Sequence, residues 1–477
     1  TTFKNTIYQV MQERGWQDIG EQNEYDFAWL TKEEIQPTYD QRRSQAQKSW
    51  VNHFQTHTQL SRKDMLAQNV QKQLRALQKI NHFQANSFQT IPLTFILPEN
   101  YASFKRFALE KEENFSVSPQ RRPLKSRSQV RQPLQKMEPT KIPKFDDIKQ
   151  INQPLKQIKS RASSRSAEQK ITSLEGQKFI VKPACMLQGQ GIFIATYDEV
   201  KTWYSQTYPM ILKQALAFDQ KAADAIFLQY KKRGLQVQKE QIQNQFKSGH
   251  DLYLIQKYIE NPLLINGHKF DLRVYVLVKS FKPLNVYVCN EGFARFALTQ
   301  YSSSNISAHL TNVAIQKLAD NYDNQAEGAK WGLYQVFQRV KLQFGYEKMI
   351  LCQQETETSI LRTLQSVYSI MNVDQKAFEV YGFDIMYTDQ LQPMICEVNA
   401  CPSLTADTNE DLVVKKRMLH DALSLTVDQR EDQVFGCFHQ IFCGNVDQED
   451  FDRGRVQTGV FIGDAVKRGL RMLHDAL

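Results

Sequence analysis

The sequence predicts a mixed α/β (α+β) fold with a strand-rich core, and three observations support this class. Between residues 177 and 405, four segments place β-branched and aromatic residues at every second position, as strands do. Segments with apolar residues at helical spacing alternate with these strands, which is typical of α/β and α+β cores. The chain has 477 residues, enough for two or three folding units at roughly 150 residues each.

We expect residues 1–97 to form an N-terminal domain that contains helices. Residues 6–14 have the pattern of a short amphipathic helix, and Gly15 would end it. Residues 62–80 again carry apolar side chains at helical spacing. Ser61 is placed to cap this second helix.

A basic segment without periodicity follows, inside a linker that we assign to residues 98–175. Residues 111–175 contain 15 Lys and Arg against seven Asp and Glu, mixed with Pro, Ser and Gln. Such a composition buries too little apolar surface to offset chain entropy, so we expect disorder. The segment carries most of the net charge of +9, and a local positive patch suits a polyanionic partner. A solvated loop without a binding role is an equal alternative.

The interpretable core is assigned to residues 176–425, with a polar insertion at about 205–249 whose Ala-rich start is compatible with a helix. The weakly patterned residues 426–477 are assigned to a C-terminal tail. Strands are expected within 178–184, 251–259, 268–280 and 284–296, helices within 331–344 and 360–371, and a hairpin within 377–400.

Composition argues against two classes of protein. No apolar run approaches the ~20 residues of a membrane span. The seven cysteines are odd in number and include no CxxC pair, so a disulfide framework is not expected. A reducing, cytoplasmic location fits this cysteine usage better.

The strongest chemical signal lies in the predicted hairpin. If its turn is centred on Gln390–Leu391, Asp384 and Glu397 face each other on adjacent strands, roughly 5 Å apart at Cβ. Asn399 lies two residues further on the same face and adds a third oxygen. Two carboxylates so close repel each other, and Mg²⁺ would remove the repulsion while taking oxygen ligands from protein and phosphate. A solvent-exposed edge hairpin is the structural alternative.

Two further segments combine charged residues with apolar strands. Lys269, Asp271 and Arg273 alternate with apolar residues, as they would in any half-exposed strand. Lys182 ends an apolar strand and precedes the loop Gln188–Gly191, where a lysine and backbone N–H groups could approach phosphate. The loop matches neither a P-loop nor a dinucleotide fingerprint, and alone it would be an ordinary turn.

The chain resembles the tubulin tyrosine ligase-like family in five segments that occur in the family's order. These are KFIVKPACMLQGQGI, LIQKYIENPLLINGHKFDLRVYVLV, EGFARF, HLTNVAIQK and YGFDIMYTDQLQPMICEVNACPSL. The resemblance covers about 1–105 and 176–425 and is strongest with the polyglutamylases, on VNACPSLTADTNEDLVVKK and NHF…LSRKD. It implies an ATP-grasp fold with N-terminal, central and C-terminal subdomains.

The resemblance implies an ATP-dependent tubulin polyglutamylase that uses ATP and Mg²⁺. ATP would phosphorylate a Glu side chain of an acidic tubulin C-terminal tail, and the amine of free glutamate would attack the acyl phosphate. The implied partners are tubulin and microtubules. The implied locations are the cytoplasm, the cytoskeleton and the axoneme or basal body of a cilium or flagellum.

The resemblance also implies a role for individual residues. Arg295 would hold the carboxylate of the incoming amino acid with help from Lys317, and Arg273 would stabilise the acyl phosphate. Gln190 stands where many relatives have Lys or Arg, which would weaken phosphate binding but leaves every metal position intact. The other implied contacts are ATP phosphates at Lys182, Gln188, Gly189 and Gly191, adenine at Gln256, Lys257, Tyr258 and Ile259, nucleotide at Lys269, Asp271, Thr311 and Asn312, and metal at Asp384, Glu397 and Asn399.

Other functions remain open at the level of sequence. A ligase of the same family could add glycine instead of glutamate. A catalytically silent axonemal protein could bind microtubules through the basic segment. Nucleic acid is a weaker partner, because no basic motif interleaved with aromatic residues is present. The sequence does not separate initiation from elongation of a side chain, or α-tubulin from β-tubulin.

Overall fold

The structure is a computed structural model of the chain, and its described residues form two compact units. It describes residues 6–20, 25–45, 49–82, 85–109, 177–186, 190–232, 249, 251–297, 299–302, 330–406 and 408–446. The large unit takes its described residues from 1–94 and 259–477, and the small unit from 95–186 and 190–258. The basic segment 111–175 lies outside the described residues.

Helices and strands alternate along the chain, as the predicted mixed class requires. The helices are α1 (Thr6–Glu13), α2 (Lys32–Gln45), α3 (Thr58–Ser61), α4 (Lys63–Lys79), α5 (Tyr101–Leu109), α6 (Tyr197–Gln206), α7 (Tyr208–Lys232), α8 (Leu333–Phe344), α9 (Tyr346–Gln365) and α10 (Asn409–Thr426). The strands are β1 (Phe27–Ala28), β2 (Trp50–Val51), β3 (Thr94–Leu97), β4 (Lys178–Pro183), β5 (Phe193–Thr196), β6 (Tyr253–Lys257), β7 (Leu264–Ile265), β8 (His268–Phe281), β9 (Leu284–Phe296), β10 (Lys330–Gly332), β11 (Glu379–Tyr387), β12 (Pro393–Asn399), β13 (Val434–Phe435) and β14 (Phe438–Gly444).

An eight-stranded sheet forms the centre of the large unit. Its strands run in the order β12-β11-β8-β9-β14-β13, with β10 paired to β9 and β7 paired to β8. All of these pairings are antiparallel. Each of the four predicted strand segments contains a strand, and the predicted hairpin is β11–β12.

The hairpin brings Asp384 opposite Glu397, as predicted, but by a different route. Its turn is centred on Gln390, since Thr388 N donates to Gln392 O and Tyr387 is paired with Pro393. A bulge then shifts the register between Asp384 and Ile385. The predicted turn centre was therefore wrong by half a residue. The bulge adds one residue to β12, Cys396, and this extra residue restores the predicted pairing of Asp384 with Glu397.

The predicted C-terminal tail contributes two strands to the sheet. β14 pairs with β9, and Phe438 lies opposite Cys289. Phe438 is fully buried in a core cluster that also contains Met418 and Leu419 of α10. The strand escaped sequence reading because polar residues, including the buried His439, interrupt its alternation.

Two helix predictions need correction at their N-termini. Ser61 is not the cap of α4: it ends α3, and the extended Arg62 precedes α4 without a side-chain cap. The helix predicted at 360–371 is α9, which starts fourteen residues earlier at Tyr346 and ends at Gln365. Its first half, YEKMILCQQE, consists mostly of good helix formers, so helix propensity was a signal that the apolar spacing alone did not use.

The small unit holds a four-stranded sheet in the order β3-β6-β4-β5. Alternate residues of β4 and β6 face an aromatic core: Phe179 lies 5.0 Å from Phe104 and Tyr253 lies 5.2 Å from Trp203, measured between ring centroids. The polar insertion begins with helix α7, in agreement with its Ala-rich start. No helix among the described residues is long and apolar enough to cross a membrane.

A buried amide at the end of α9 provides a test of core energetics. Gln365 is fully buried, and neither of its side-chain polar atoms has a hydrogen-bond partner among the described residues. Burying such an amide without a partner costs about 1–3 kcal/mol. We therefore expect Gln365→Leu, which keeps the volume similar, to raise the free energy of unfolding by about 1 kcal/mol or more.

Thermal and urea unfolding would check this result. The control is Gln343→Leu on α8, where the side chain is exposed and no buried amide is removed. A lower stability of Gln365→Leu would show that a buried water satisfies this amide.

Candidate active site

Four charged residues form a compact cluster on one face of the large sheet. Asp384 of β11 accepts hydrogen bonds from Arg273 of β8, at 2.5 Å from Nε and 3.0 Å from Nη2. Arg295 of β9 lies with Nη2 2.9 Å from Asp384 Oδ2 and also grips Asp271 of β8 through Nε and Nη2. We call these residues the tetrad.

Strand register explains why the tetrad assembles. Asp384 is paired with Arg273, and Asp271 is paired with Arg295. Paired residues of antiparallel strands project from the same face, so each acid meets a cation across one strand gap. The polar face of β8 is therefore buried against other charged side chains. It does not face water, as the polar face of a half-exposed strand would.

The two arginines of the tetrad lower the pKa of Asp384. Burial raises the pKa of the Asp384 carboxyl, but the charges and hydrogen bonds of Arg273 and Arg295 outweigh burial and hold its pKa below the ordinary value. Burial likewise acts to lower the pKa of both guanidinium groups, yet the facing carboxylates raise it. Two acids and two arginines cancel, so the tetrad as a whole is neutral.

Glu397 and Asn399 lie beside the tetrad on β12. Asn399 Nδ2 donates to Gly382 O at 3.3 Å and to Glu397 Oε1 at 3.4 Å. Lys63, at the start of α4, places Nζ 3.5 Å from Glu397 Oε2. Sequence reasoning assigned no role to Lys63, although the segment LSRKD that contains it contributed to the family resemblance.

The three predicted metal ligands are suited to Mg²⁺. Asp384 and Glu397 are paired across the strands, and Asn399 uses Nδ2 for its hydrogen bonds, so Oδ1 is the atom it can offer a cation. Among the described residues, no group of three or more His, Cys, Asp or Glu side chains could hold a metal alone. A cation here would therefore need phosphate or water oxygens, as Mg²⁺ usually takes.

A second group of predicted residues lies in the small unit. Lys182 Nζ donates to Gln256 Oε1 at 2.8 Å, across paired strands β4 and β6. Tyr258 is buried, and its backbone N donates to Lys178 O. Lys257 is exposed and projects from the other face of β6, opposite Phe179, so the structure does not place its side chain with Gln256.

The remaining predicted residues divide into described and undescribed ones. Ile259 is half-buried, Lys269 is buried at the start of β8, and Gly191, the last residue of the predicted loop, has a φ of 71°. Gln190 is exposed. The other members of the predicted set lie outside the described residues: Gln188, Gly189, Thr311, Asn312 and Lys317.

A pocket of about 380 Å³ in the large unit is lined in part by His53, which forms a buried ion pair that the sequence did not predict. His53 Nδ1 lies 2.8 Å from Glu379 Oε1, and Phe54 N donates to Glu379 Oε2. His53 Nε2 lies 3.3 Å from the sulfur of Cys401, two residues beyond Asn399. Burial lowers the pKa of His53, but Glu379 outweighs it and raises the pKa to about 10. His53 lies in the family-like segment NHF, and Glu379 lies two residues before the family-like segment that begins at Tyr381, which was the available signal.

Comparison with known proteins places these features in one family. A profile described as "Tubulin-tyrosine ligase family" matches residues 125–433, more than half of the chain. The match begins inside the basic segment, which our reading of the sequence had left out of the resemblance.

Curated relatives match over most of both chains. A Caenorhabditis elegans protein named probable tubulin polyglutamylase ttll-9 is 29% identical over 88% of this chain and 78% of its own length. The Bos taurus probable tubulin polyglutamylase TTLL9 is 28% identical over 89% of this chain and 78% of its own length. The Tetrahymena thermophila probable alpha-tubulin polyglutamylase Ttll1 is 27% identical over 87% of this chain and 81% of its own length.

Proposed function

Since this chain belongs to the tubulin-tyrosine ligase family, we propose that it is an ATP-dependent polyglutamylase that joins free glutamate to Glu side chains of tubulin C-terminal tails. Membership of the family supports an ATP-grasp-like fold and an ATP-dependent ligase activity. The names of the relatives support the choice of tubulin and glutamate. The structural observation that carries the proposal is Asp384 facing Glu397, with Asn399 beside them, on a face that also holds two arginines.

We assign the metal and nucleotide contacts by unit. In the large unit, Asp384, Glu397 and Asn399 would hold Mg²⁺, and Lys269 and Asp271 would contact nucleotide. Bound Mg²⁺ would neutralise phosphate charge and polarise the phosphoryl group. In the small unit, Lys182 would bind phosphate, and the β6 strand around Gln256–Tyr258 would bind adenine. Ile259, which belongs to the large unit, keeps its proposed adenine contact. Gln188, Gly189, Gly191, Thr311, Asn312 and Lys317 keep their proposed roles.

The chain's own residues would act by holding charge in place. An oxygen of the acceptor carboxylate attacks the γ-phosphorus of ATP, and ADP leaves. The amine of glutamate then attacks the acyl carbon, an isopeptide bond forms and phosphate leaves. Arg273 and Arg295 are fixed by Asp384 and Asp271, so their remaining N–H groups are oriented before a substrate arrives. Preorganised donors of this kind lower a barrier without reorganising during the reaction.

Domain roles and location complete the proposal. We retain residues 176–425 as the catalytic core and 1–97 as the N-terminal domain, because Lys63 of that domain reaches Glu397. The basic segment 111–175 would add salt-sensitive affinity for acidic tubulin tails. The protein would then act on the cytoskeleton, at the axoneme or basal body of a cilium or flagellum.

An incorporation assay tests the proposed function. The protein is incubated with tubulin, ATP, Mg²⁺ and either labelled glutamate or labelled glycine, and the tubulin tails are analysed by tandem mass spectrometry. We expect glutamate, linked to Glu side chains, only when ATP is present. The same spectra would separate initiation from elongation and α-tubulin from β-tubulin.

Two results would replace the proposal by its alternatives. Incorporation of glycine alone would identify a glycylase. Stoichiometric, ATP-independent decoration of microtubules without a change in tubulin mass would identify a catalytically silent binding protein.

A further inference from the structure

Lys330 lies next to the tetrad on the same face of the sheet. It is the first residue of β10 and is paired in register with Arg295 of β9. The Cβ atoms of such paired residues are about 4.5–5.5 Å apart, and both side chains project from one face. A ligand that contacts Arg295 is therefore within reach of Lys330.

Lys330 belongs to a group with an excess positive charge. Its Nζ lies 2.9 Å from Asp411 Oδ2, and Lys415 Nζ lies 2.9 Å from Asp411 Oδ1. One carboxylate thus serves two ammonium groups. The side chain of Lys415 is 6% exposed and also donates to Thr405 O, whereas that of Lys330 is 33% exposed. The excess charge is consequently presented to ligands at Lys330.

The ring of Phe293 holds this ammonium group in position. Lys330 Nζ lies 3.8 Å from the centroid of the Phe293 ring, a geometry that attracts a cation. Phe293 itself is paired with Arg273, so the ring lies on the same face as the tetrad. The lysine is fixed from two sides before any ligand binds.

The neutral tetrad explains why a further cation is needed. The charge of Arg295 is already balanced within the tetrad, although N–H groups of its Nη1 atom have no role there. A free dicarboxylic amino acid carries two carboxylates and one ammonium group, and glycine carries only one carboxylate. One more positive charge would favour the dicarboxylic acid, and the partly exposed Lys330, paired with Arg295, is placed to supply it.

We propose that Lys330 is a specificity-determining residue that binds the side-chain carboxylate of a dicarboxylic amino acid whose α-carboxylate lies at Arg295. This inference rests on the proposed function, because it concerns the amino-acid substrate of the same site. It adds a physical reason for the choice of glutamate over glycine or glutamine.

Kinetics with three amino acids test the role of Lys330. We compare Lys330→Met, which removes the charge, with Lys330→Arg, which keeps it, using glutamate, glutamine and glycine. Loss of one charge-assisted contact should raise the KM for glutamate about 10- to 100-fold in Lys330→Met, with a smaller change in kcat. The preference for glutamate over glutamine should fall by the same factor in Lys330→Met. Lys330→Arg, which keeps the charge, should retain much of this preference.

The matched control is another lysine that pairs with an acid. Lys416 of α10 contacts Glu13, and Lys416→Met should leave the KM values for glutamate, glutamine and glycine unchanged. If Lys330→Met lowered kcat/KM equally for glutamate, glutamine and glycine, Lys330 would have a structural role and the inference would be overturned.

Calorimetric binding separates this inference from the proposed function. Glutamate and glycine are titrated into the wild type and Lys330→Met in the presence of a non-hydrolysable ATP analogue. Glutamate affinity should fall about 10- to 100-fold in the variant, whereas glycine affinity should not change. If the wild type transfers no glutamate but this difference is found, the function fails and the role of Lys330 stands. If glutamate does not bind the wild type, or binds both proteins equally, the role of Lys330 is wrong.

Discussion

Replacing Glu397 by glutamine is expected to lower kcat/KM for ATP-dependent ligation by about 10²–10³-fold. The change removes one negative charge from the proposed Mg²⁺ site and keeps the size of the side chain. Each tenfold loss corresponds to about 1.4 kcal/mol of transition-state stabilisation, and a metal contact contributes several kcal/mol. The effect should appear in steady-state incorporation of labelled glutamate, together with a higher Mg²⁺ requirement.

Glu397 is a better test than Asp384 because its environment is open. Its side chain is 33% exposed, and Lys63 is its ion-pair partner at 3.5 Å, so Glu397→Gln should unfold at nearly the wild-type temperature. Asp384→Asn would instead leave Arg273 and Arg295 without part of their balancing charge, and lost activity could then reflect lost stability.

The control for this experiment is Glu347→Gln. Glu347 is exposed in the first turn of α9 and has no proposed role in the site. Full activity of Glu397→Gln at low Mg²⁺ would contradict the assignment of this carboxylate as a metal ligand.

Replacing His53 by alanine is expected to lower the free energy of unfolding by about 3–5 kcal/mol. Glu379 is fully buried, and His53 is its charged partner at 2.8 Å. Without the imidazolium, the carboxylate keeps the hydrogen bond from Phe54 N but loses its opposite charge. Urea denaturation of both proteins would measure the difference.

A second His–Glu pair in the same chain provides the control. His420 contacts Glu13 at 2.9 Å, but both side chains are substantially exposed. His420→Ala should therefore lose less than about 1 kcal/mol. The double variant His53→Ala/Glu379→Gln should be more stable than the sum of the single effects predicts, because the buried charge is then also removed. Equal effects of His53→Ala and His420→Ala would rule out a buried charge pair at His53.

The same pair predicts how stability depends on pH. The folded pKa of His53 is raised from 6.5 to about 10, so the folded state retains a proton that the unfolded state releases. The stability contributed by His53 is therefore fully present below about pH 6.5 and is lost as the pH rises through about 10. The loss should reach about 1.4 kcal/mol per pH unit, and it should be absent from the double variant.

Local patterns were sufficient to predict much of the large sheet. The β-branched and aromatic residues of β8 and β9 predicted both strands, but most residues on both faces are buried, so burial does not alternate along them. The pairing of Asp384 with Glu397 was also predicted, but the actual register depends on a bulge at Cys396 that the turn residues do not indicate.

Long-range partners could not be predicted from local patterns. The tetrad depends on the order β11-β8-β9, and no periodicity within β8 states which strands will lie beside it. His53 and Glu379 are more than 300 residues apart, and each looks like an ordinary polar residue in its own segment. Lys63 was missed for the same reason, because its partner Glu397 lies on a distant strand.

The bulge at Cys396 divides β12 into two segments with different phase. Ile395 and Val398 are both buried although three positions separate them, so alternation restarts within the strand. Changes in volume at Ile395 or Val398 should consequently alter packing, while exchanges of Glu397 or Asn399 should alter the proposed metal site. A chimera that grafts the end of this strand from another family member will orient its acid and amide correctly only if the additional residue is transferred with them.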